Sequence, residues 1–197
     1  MLMLARAPQK VQRTWEGLAM ATEGIGTQLS NRAFFVKRWQ QEYSAFSNVI
    51  AALPIDRLEF RPHPLSRSAA ELVALLISAQ RSCIQLCENK KSSYTGMHWQ
   101  QPTTLDDPAD VVATYERDHN ELRVQLGALD DDSWNHQAWL IQGKDEILLR
   151  DTLGGVLWIA LFDTVHHRGQ LTTYIRPMGG KVPSIYGPSA DDQRKWR

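Results

Sequence analysis

The fold is decided by a stretch near the C-terminal end of the chain, FDTVHHRGQ at residues 162–170. It lies inside an apolar segment that predicts a helix from about residue 149 or 152 to residue 176. Residues four apart lie on one face of a helix, so Asp163 and His167 share a face. That face lies on or beside the side that should point into the core. An unpaired buried carboxylate is strongly unfavourable, so we expect a metal ion, an arginine, a histidine or solvent to compensate the charge of Asp163.

Two interpretations of this pair remain open. Asp163 and His167 could supply two ligands to one divalent ion, as the histidines of the H-E-x-x-H motif do, and their oxygen and nitrogen atoms suit Zn²⁺, Ni²⁺, Mn²⁺ or Fe²⁺. Alternatively, they form a hydrogen-bonded pair on a half-buried helix. His166 is rotated about 100° from His167 and cannot share that ion, so we expect it at a helix or subunit contact or bonded to a loop. Arg168 and Gln170 are expected to support the ligands or to anchor the neighbouring loop.

Composition narrows the class of protein. Apolar residues make up 43% and charged residues 22% of the 197 residues, which is typical of globular domains. Lys plus Arg and Asp plus Glu number 22 each, and no basic stripe is visible, so we expect no nucleic-acid partner. No segment approaches the roughly 18 consecutive apolar residues that are typical of a membrane span. The start does not resemble a secretory signal, so we expect a cytoplasmic protein in which Cys83 and Cys87 are thiols.

Three further amphipathic segments predict helices. The first begins near Ser30 or Asn31, the second follows Ser68, which has the capping-box spacing to Glu71, and the third spans about 108–129. Short apolar runs after residue 130 predict an extended excursion or a hairpin before the fourth helix. We therefore predict an all-α four-helix bundle over residues 30–197, with long connections and a Pro/Gly-rich tail. Residues 1–29 are predicted to be an extension, loop or short helix.

The segment HHRGQLTTYIRPMGGKVPSIYGPSAD, residues 166–191, resembles the C-terminal signature of the DinB-like (DinB/YfiT-like) family of metal-dependent bacterial proteins. FRPHP at residues 60–64 and SAAELV at residues 68–73 are also similar to that family. The resemblance implies a four-helix bundle, often a homodimer, with a metal ion held by three side chains. One ligand comes from the second helix and two come from the fourth. Relatives include transferases and isomerases that use a low-molecular-weight thiol.

Carried over to this chain, the resemblance places the fourth-helix ligands at Asp163 and His167. The second-helix position falls on Leu75, which cannot bind a metal ion. Ser78, one turn further on, is a weak ligand, and Gln80 is a poor angular match. Two of the three implied ligands are therefore present.

The remaining histidines do not fill the third position. His119 lies on the apolar stripe of the third helix, where a core histidine is expected, and His63 is expected to form a hydrogen bond within its loop. His98 and His136 are assigned no role. No phosphate-binding loop, nucleophile elbow or dinucleotide fingerprint is present in the sequence.

Two functional hypotheses follow. The first is a metal-dependent enzyme, a thiol-dependent transferase or isomerase or a hydrolase, that acts on a small molecule. The second is a non-enzymatic bundle whose metal site is degenerate at Leu75 and which binds a ligand or a partner. The catalytic residues and the substrate are not indicated by the sequence.

Overall fold

The computed structural model describes residues 28–93, 108–142 and 146–195. The expected extension at residues 1–29 lies almost wholly outside this part of the chain, as do His98 and the turn at 143–145. The α-helices and strands, in chain order, are α1 (Asn31–Ala51), α2 (Ala69–Asn89), β1 (Lys91–Ser93), α3 (Pro108–Ala128), α4 (Asp131–Asn135), β2 (Gln137–Gln142), β3 (Glu146–Thr152) and α5 (Leu153–Ile175). Short 3₁₀ helices span Ile55–Arg57 and Ala190–Lys195.

Each of the four long helices, α1, α2, α3 and α5, packs against two others. Helix α1 packs against α3 and α5, and α2 packs against the same two helices. The chain is therefore mostly helical, and the described helices begin and end close to the predicted positions.

Helix α2 begins at the predicted capping box. The Ser68 side chain accepts a hydrogen bond from the Glu71 amide, and the Glu71 carboxylate accepts one from the Ser68 amide at 2.7 Å. Arg61 donates two hydrogen bonds of 2.7 Å to the same carboxylate, which ties the preceding loop to the start of the helix. The helix ends at Lys90, whose φ of 58° is left-handed. Helix α2 is long and apolar enough to span a membrane, but 67% of its most apolar stretch is buried inside the protein, as in a core helix.

A three-stranded sheet departs from the all-α prediction. Strands β2 and β3 form the hairpin that the apolar runs after residue 130 suggested, with an irregular register between Leu140 and Ile141. Strand β1 pairs with β2 in parallel and lies at the other edge of the sheet. The polar sequence of β1, Lys-Ser-Ser, carries no strand pattern, because its pairing partner lies nearly fifty residues further along the chain.

Two apolar clusters form the core, and α5 contributes to both. The first contains Phe35, Trp39 and Leu157, and the second contains Leu72 and Leu171. One line along α5 faces these clusters and sets the orientation of every polar side chain on the helix. Its members are Leu157, Leu161, Thr164, Arg168, Leu171 and Ile175.

Candidate functional site

Asp163 and His167 lie beside the core-facing line of α5. The Nε2 atom of His167 is 3.4 Å from Oδ1 of Asp163. The Asp163 side chain is 46% exposed and that of His167 is 14% exposed. Of the two expected placements, Asp163 lies beside the inward face rather than on it, because Thr164 and Arg168 occupy the inward positions at this level. Water reaches the carboxylate, and burial alone does not require a compensating ion.

Gln170 connects the two adjacent histidines. Its Oε1 atom lies 2.9 Å from Nδ1 of His167, and its Nε2 atom lies 3.1 Å from Nε2 of His166. An amide oxygen only accepts hydrogen bonds, so Nδ1 of His167 carries the hydrogen. When His167 is neutral, the lone pair on Nε2 therefore faces Asp163. His166 accepts its hydrogen bond from Gln170, one turn along the same helix.

The charges of the pair stabilise each other. The side-chain interaction with His167 lowers the pKa of Asp163, although burial opposes the shift. The same interaction raises the pKa of His167 against the effect of burial. The nearby cation of Arg67, which precedes α2, lowers the pKa of both groups. The arrangement thus places two potential ligand atoms and one positive charge at one edge of the α2–α5 contact.

Arg168 does not belong to this pair. Its side chain is buried and donates hydrogen bonds to the carboxylate of Glu42 on α1 and, at 2.6 Å, to the Tyr186 hydroxyl. The Tyr186 hydroxyl in turn donates to Glu42 at 2.8 Å, and the guanidinium lies 4.6 Å from the centroid of the Phe46 ring. Arg168 therefore holds the C-terminal segment against α1 and α5.

The second-helix position offers no ligand. Leu75 is buried in α2, and within residues 28–93, 108–142 and 146–195 no three His, Cys, Asp or Glu side chains form a group that could hold a metal ion. Burial raises the pKa of Cys83, further along the helix, to about 12, so it remains a thiol. A metal ion would therefore rely on Asp163, His167 and solvent.

The other described histidines have structural surroundings. His119 stacks on Trp39 with ring centroids 4.0 Å apart and is buried, as expected of a core histidine. His63 accepts a hydrogen bond of 3.1 Å from the Leu65 amide within its loop, as expected. His136 is exposed at the end of α4.

Sequence reasoning missed three residues around this region. Tyr186 lies in the quoted signature, but its partner Glu42 is 144 residues away and has no local signal. Arg67 had no distinguishing spacing, because it lies in a loop whose path depends on the fold. Each could have been found only from the tertiary structure.

Known proteins share both the sequence pattern and the fold. The sequence model of the DinB family matches residues 27–197. A DinB-like protein from Bacillus subtilis superposes with a TM-score of 0.59 at 18% identity, covering 78% of this chain and 97% of its own. A DinB-like protein from Bacillus cereus gives 0.62 at 16% identity, covering 77% and 95%. At these identities the structural likeness concerns the fold. No curated protein matches the chain.

Proposed function

The chain belongs to the DinB family, and we propose that it is a metal-dependent protein that acts on a small molecule. Asp163 and His167 hold the divalent ion, Zn²⁺, Ni²⁺, Mn²⁺ or Fe²⁺, and solvent completes its ligands. The reaction class is a thiol-dependent transfer or isomerisation, or a hydrolysis. The proposal includes the four-helix bundle of the family, a homodimer and a cytoplasmic location.

The observation that carries this proposal is the hydrogen bond between Gln170 and Nδ1 of His167. Histidines that bind metals through one ring nitrogen usually donate a hydrogen bond from the other, which fixes the tautomer and the ring orientation. Here the Gln170 oxygen holds the hydrogen on Nδ1, and the remaining nitrogen faces a carboxylate oxygen at 3.4 Å. This donor set fits a divalent ion, although it supplies two ligands instead of three.

The side chains at the site have distinct tasks. A bound ion would supply Lewis acidity that lowers the pKa of a water molecule or a thiol. Asp163 and His167 would bind the divalent ion, and Gln170 would orient the imidazole of His167. The positive charge of Arg67 favours an anionic group, such as a thiolate or a carboxylate, near the pair.

Metal titration tests the proposal. We expect the purified protein to bind one of the four ions, and Asp163→Ala and His167→Ala to abolish this binding. Gln170→Ala should weaken it by about 10- to 100-fold, since Gln170 acts through the ligand. His136→Ala, which removes an exposed histidine at the end of α4, is the matched control and should bind normally. A folded protein that takes up none of the four ions at micromolar concentration would refute the proposal.

Leu75 favours a second candidate, a non-enzymatic bundle that binds a ligand or partner. The Asp163–His167 pair can exist as an ion pair without a metal ion, and a buried leucine stands where the family places a ligand. Leu75→His distinguishes the two. If the site is active with two ligands, the third should strengthen an affinity that is already measurable. If the site is degenerate, metal binding should appear only in the variant.

A further inference from the structure

A small cavity lies between the four long helices, separate from the Asp163–His167 pair. Its volume is about 30 Å³. Aromatic and aliphatic side chains form most of its wall, with Phe46 from α1 and Leu161 from α5 among them. Three polar side chains also line it: Gln80 from α2, Tyr115 from α3 and Thr164 from α5. Neither Asp163 nor His167 lines this cavity.

Gln80 is the unusual member of this wall. It is 5% exposed. Within the described part of the chain, three buried side-chain nitrogen or oxygen atoms have no hydrogen-bond partner, and two of them are Nε2 and Oε1 of Gln80. Buried polar groups are almost always paired, because an unpaired one loses its hydrogen bonds to water without replacement. Neither atom of the amide has a partner at hydrogen-bond geometry, although the Tyr115 phenol lies close enough for the amide to lower its pKa, so a donor and an acceptor are both left for a molecule in the cavity.

The neighbouring polar groups are neutral and close to this amide. Burial raises the pKa of Tyr115, and the Gln80 amide opposes only part of the rise, so the phenol keeps its proton. The Thr164 hydroxyl donates to the carbonyls of Ala160 and Leu161 at 3.0 and 2.9 Å, which leaves its oxygen able to accept. Among the described residues no charged side chain lines the cavity, so an ionic ligand would have no counter-charge from them.

We propose that this cavity binds a neutral hydroxyl group, that of water or of a short alcohol, through the Gln80 amide. A hydroxyl group both donates and accepts, so it can pair with Oε1 and with Nε2. A water molecule needs about 10–15 Å³ of such space, so the cavity takes about two non-hydrogen atoms and excludes rings. The site is independent of a metal ion at Asp163, and its test does not depend on the proposed function.

The test is to observe bound water directly at the Gln80 side chain by NMR, with a chelator present. We expect cross-relaxation peaks between long-lived water and the Gln80 amide protons in the wild-type protein. Gln80→Met, which keeps the length but removes the amide, should lose these peaks. The melting temperature of Gln80→Met should not exceed that of Gln40→Met, a control substitution at an exposed position on α1. Adding methanol, whose two non-hydrogen atoms match this volume, separates the sources: saturable shifts of the Gln80 amide signals identify an alcohol site, and unchanged signals identify a water site.

The opposite result would overturn the proposal. If the amide is unsolvated, the wild-type protein shows no long-lived water and no response to methanol, and Gln80→Met raises the melting temperature because an unpaired polar group has been removed. If Gln80→Met does not fold, the wild-type spectra decide: long-lived water at the Gln80 amide protons supports the site, and its absence overturns the proposal.

Discussion

Replacing Arg168 by methionine tests how the buried ion pair of α5 contributes to stability. The Arg168 side chain is 3% exposed and that of its partner Glu42 is 18% exposed. Methionine fills much of the space of the arginine stem, but of the two described hydrogen-bond donors to the Glu42 carboxylate it leaves the Tyr186 hydroxyl. Removing one partner of a buried ion pair costs about 3–5 kcal/mol. Because Glu42 keeps that hydroxyl and some solvent, we expect a loss of about 3 kcal/mol in the free energy of unfolding.

The matched control is the same substitution at Arg176, just beyond the end of α5. Arg176 pairs with Asp191 at 3.0 Å, but its side chain is 52% exposed. Exposed pairs contribute about 0–1 kcal/mol, so Arg176→Met should cost no more than that. Urea unfolding measures the free energy of unfolding of both variants. If its slope against urea concentration is unchanged, the shift of the midpoint reports the change in stability.

A second substitution separates lost pairing from lost packing. In the Arg168→Met background, Glu42→Leu removes the carboxylate that has lost its arginine partner. This change should restore part of the stability, because replacing both partners of a buried ion pair by apolar residues is often tolerated. Equal losses for Arg168→Met and Arg176→Met would refute the reasoning. So would a further loss when Glu42→Leu is added, because packing would then account for the effect.

Three other predictions follow from the described side chains. In metal-free protein, the raised pKa of His167 means that its pairing stabilises the fold fully below the ordinary value of 6.5, and that this contribution is lost as pH rises through the higher folded value. NMR titration should therefore place the pKa of His167 above 6.5, and Asp163→Asn should lower it; an unchanged value would contradict the pairing. Burial lowers the pKa of His119 to about 4, so the stability that the neutral imidazole contributes is lost as pH decreases from 6.5 towards 4. Between these pH values His119→Phe should therefore lose less free energy of unfolding than the wild-type protein, as urea unfolding measures. Ser68→Ala should lower the free energy of unfolding by about 1 kcal/mol, because the amide of Glu71 loses its acceptor; a urea midpoint equal to that of the wild-type protein would exclude the capping role.

Local signals predicted the elements that depend on local physics. The capping box at Ser68 is a four-residue pattern, and α2 begins where that pattern places it. The apolar spacing of α1 and α3 likewise depends on a repeat within each helix. Strand β1 could not be predicted in this way, because Lys91–Ser93 becomes a strand only by pairing with Trp139–Ile141.

The orientation of α5 required information that the sequence does not contain. The spacing placed Asp163 and His167 on or beside the inner face and gave Arg168 a supporting or loop-anchoring role. In the structure Arg168 takes the inner position, because Glu42, 126 residues away, neutralises the guanidinium inside the core. Gln80 was weighed only as a replacement ligand for the same reason: its burial beside Tyr115 depends on how α2 and α3 pack.

The state of pairing distinguishes what the three groups of polar residues do. Arg168 is buried and donates hydrogen bonds to Glu42 and Tyr186, which explains its structural role in holding the C-terminal segment. Gln80 is buried and unpaired, so its free energy is lowest when a small polar molecule joins it. Asp163 and His167 are paired but reachable by solvent, with two ligand atoms facing each other and Gln170 setting the tautomer. Of the three, only this last group can exchange its internal partner for an ion without leaving a buried group unsatisfied. The proposed metal ion is therefore best sought beside the core-facing line of α5, at Asp163 and His167.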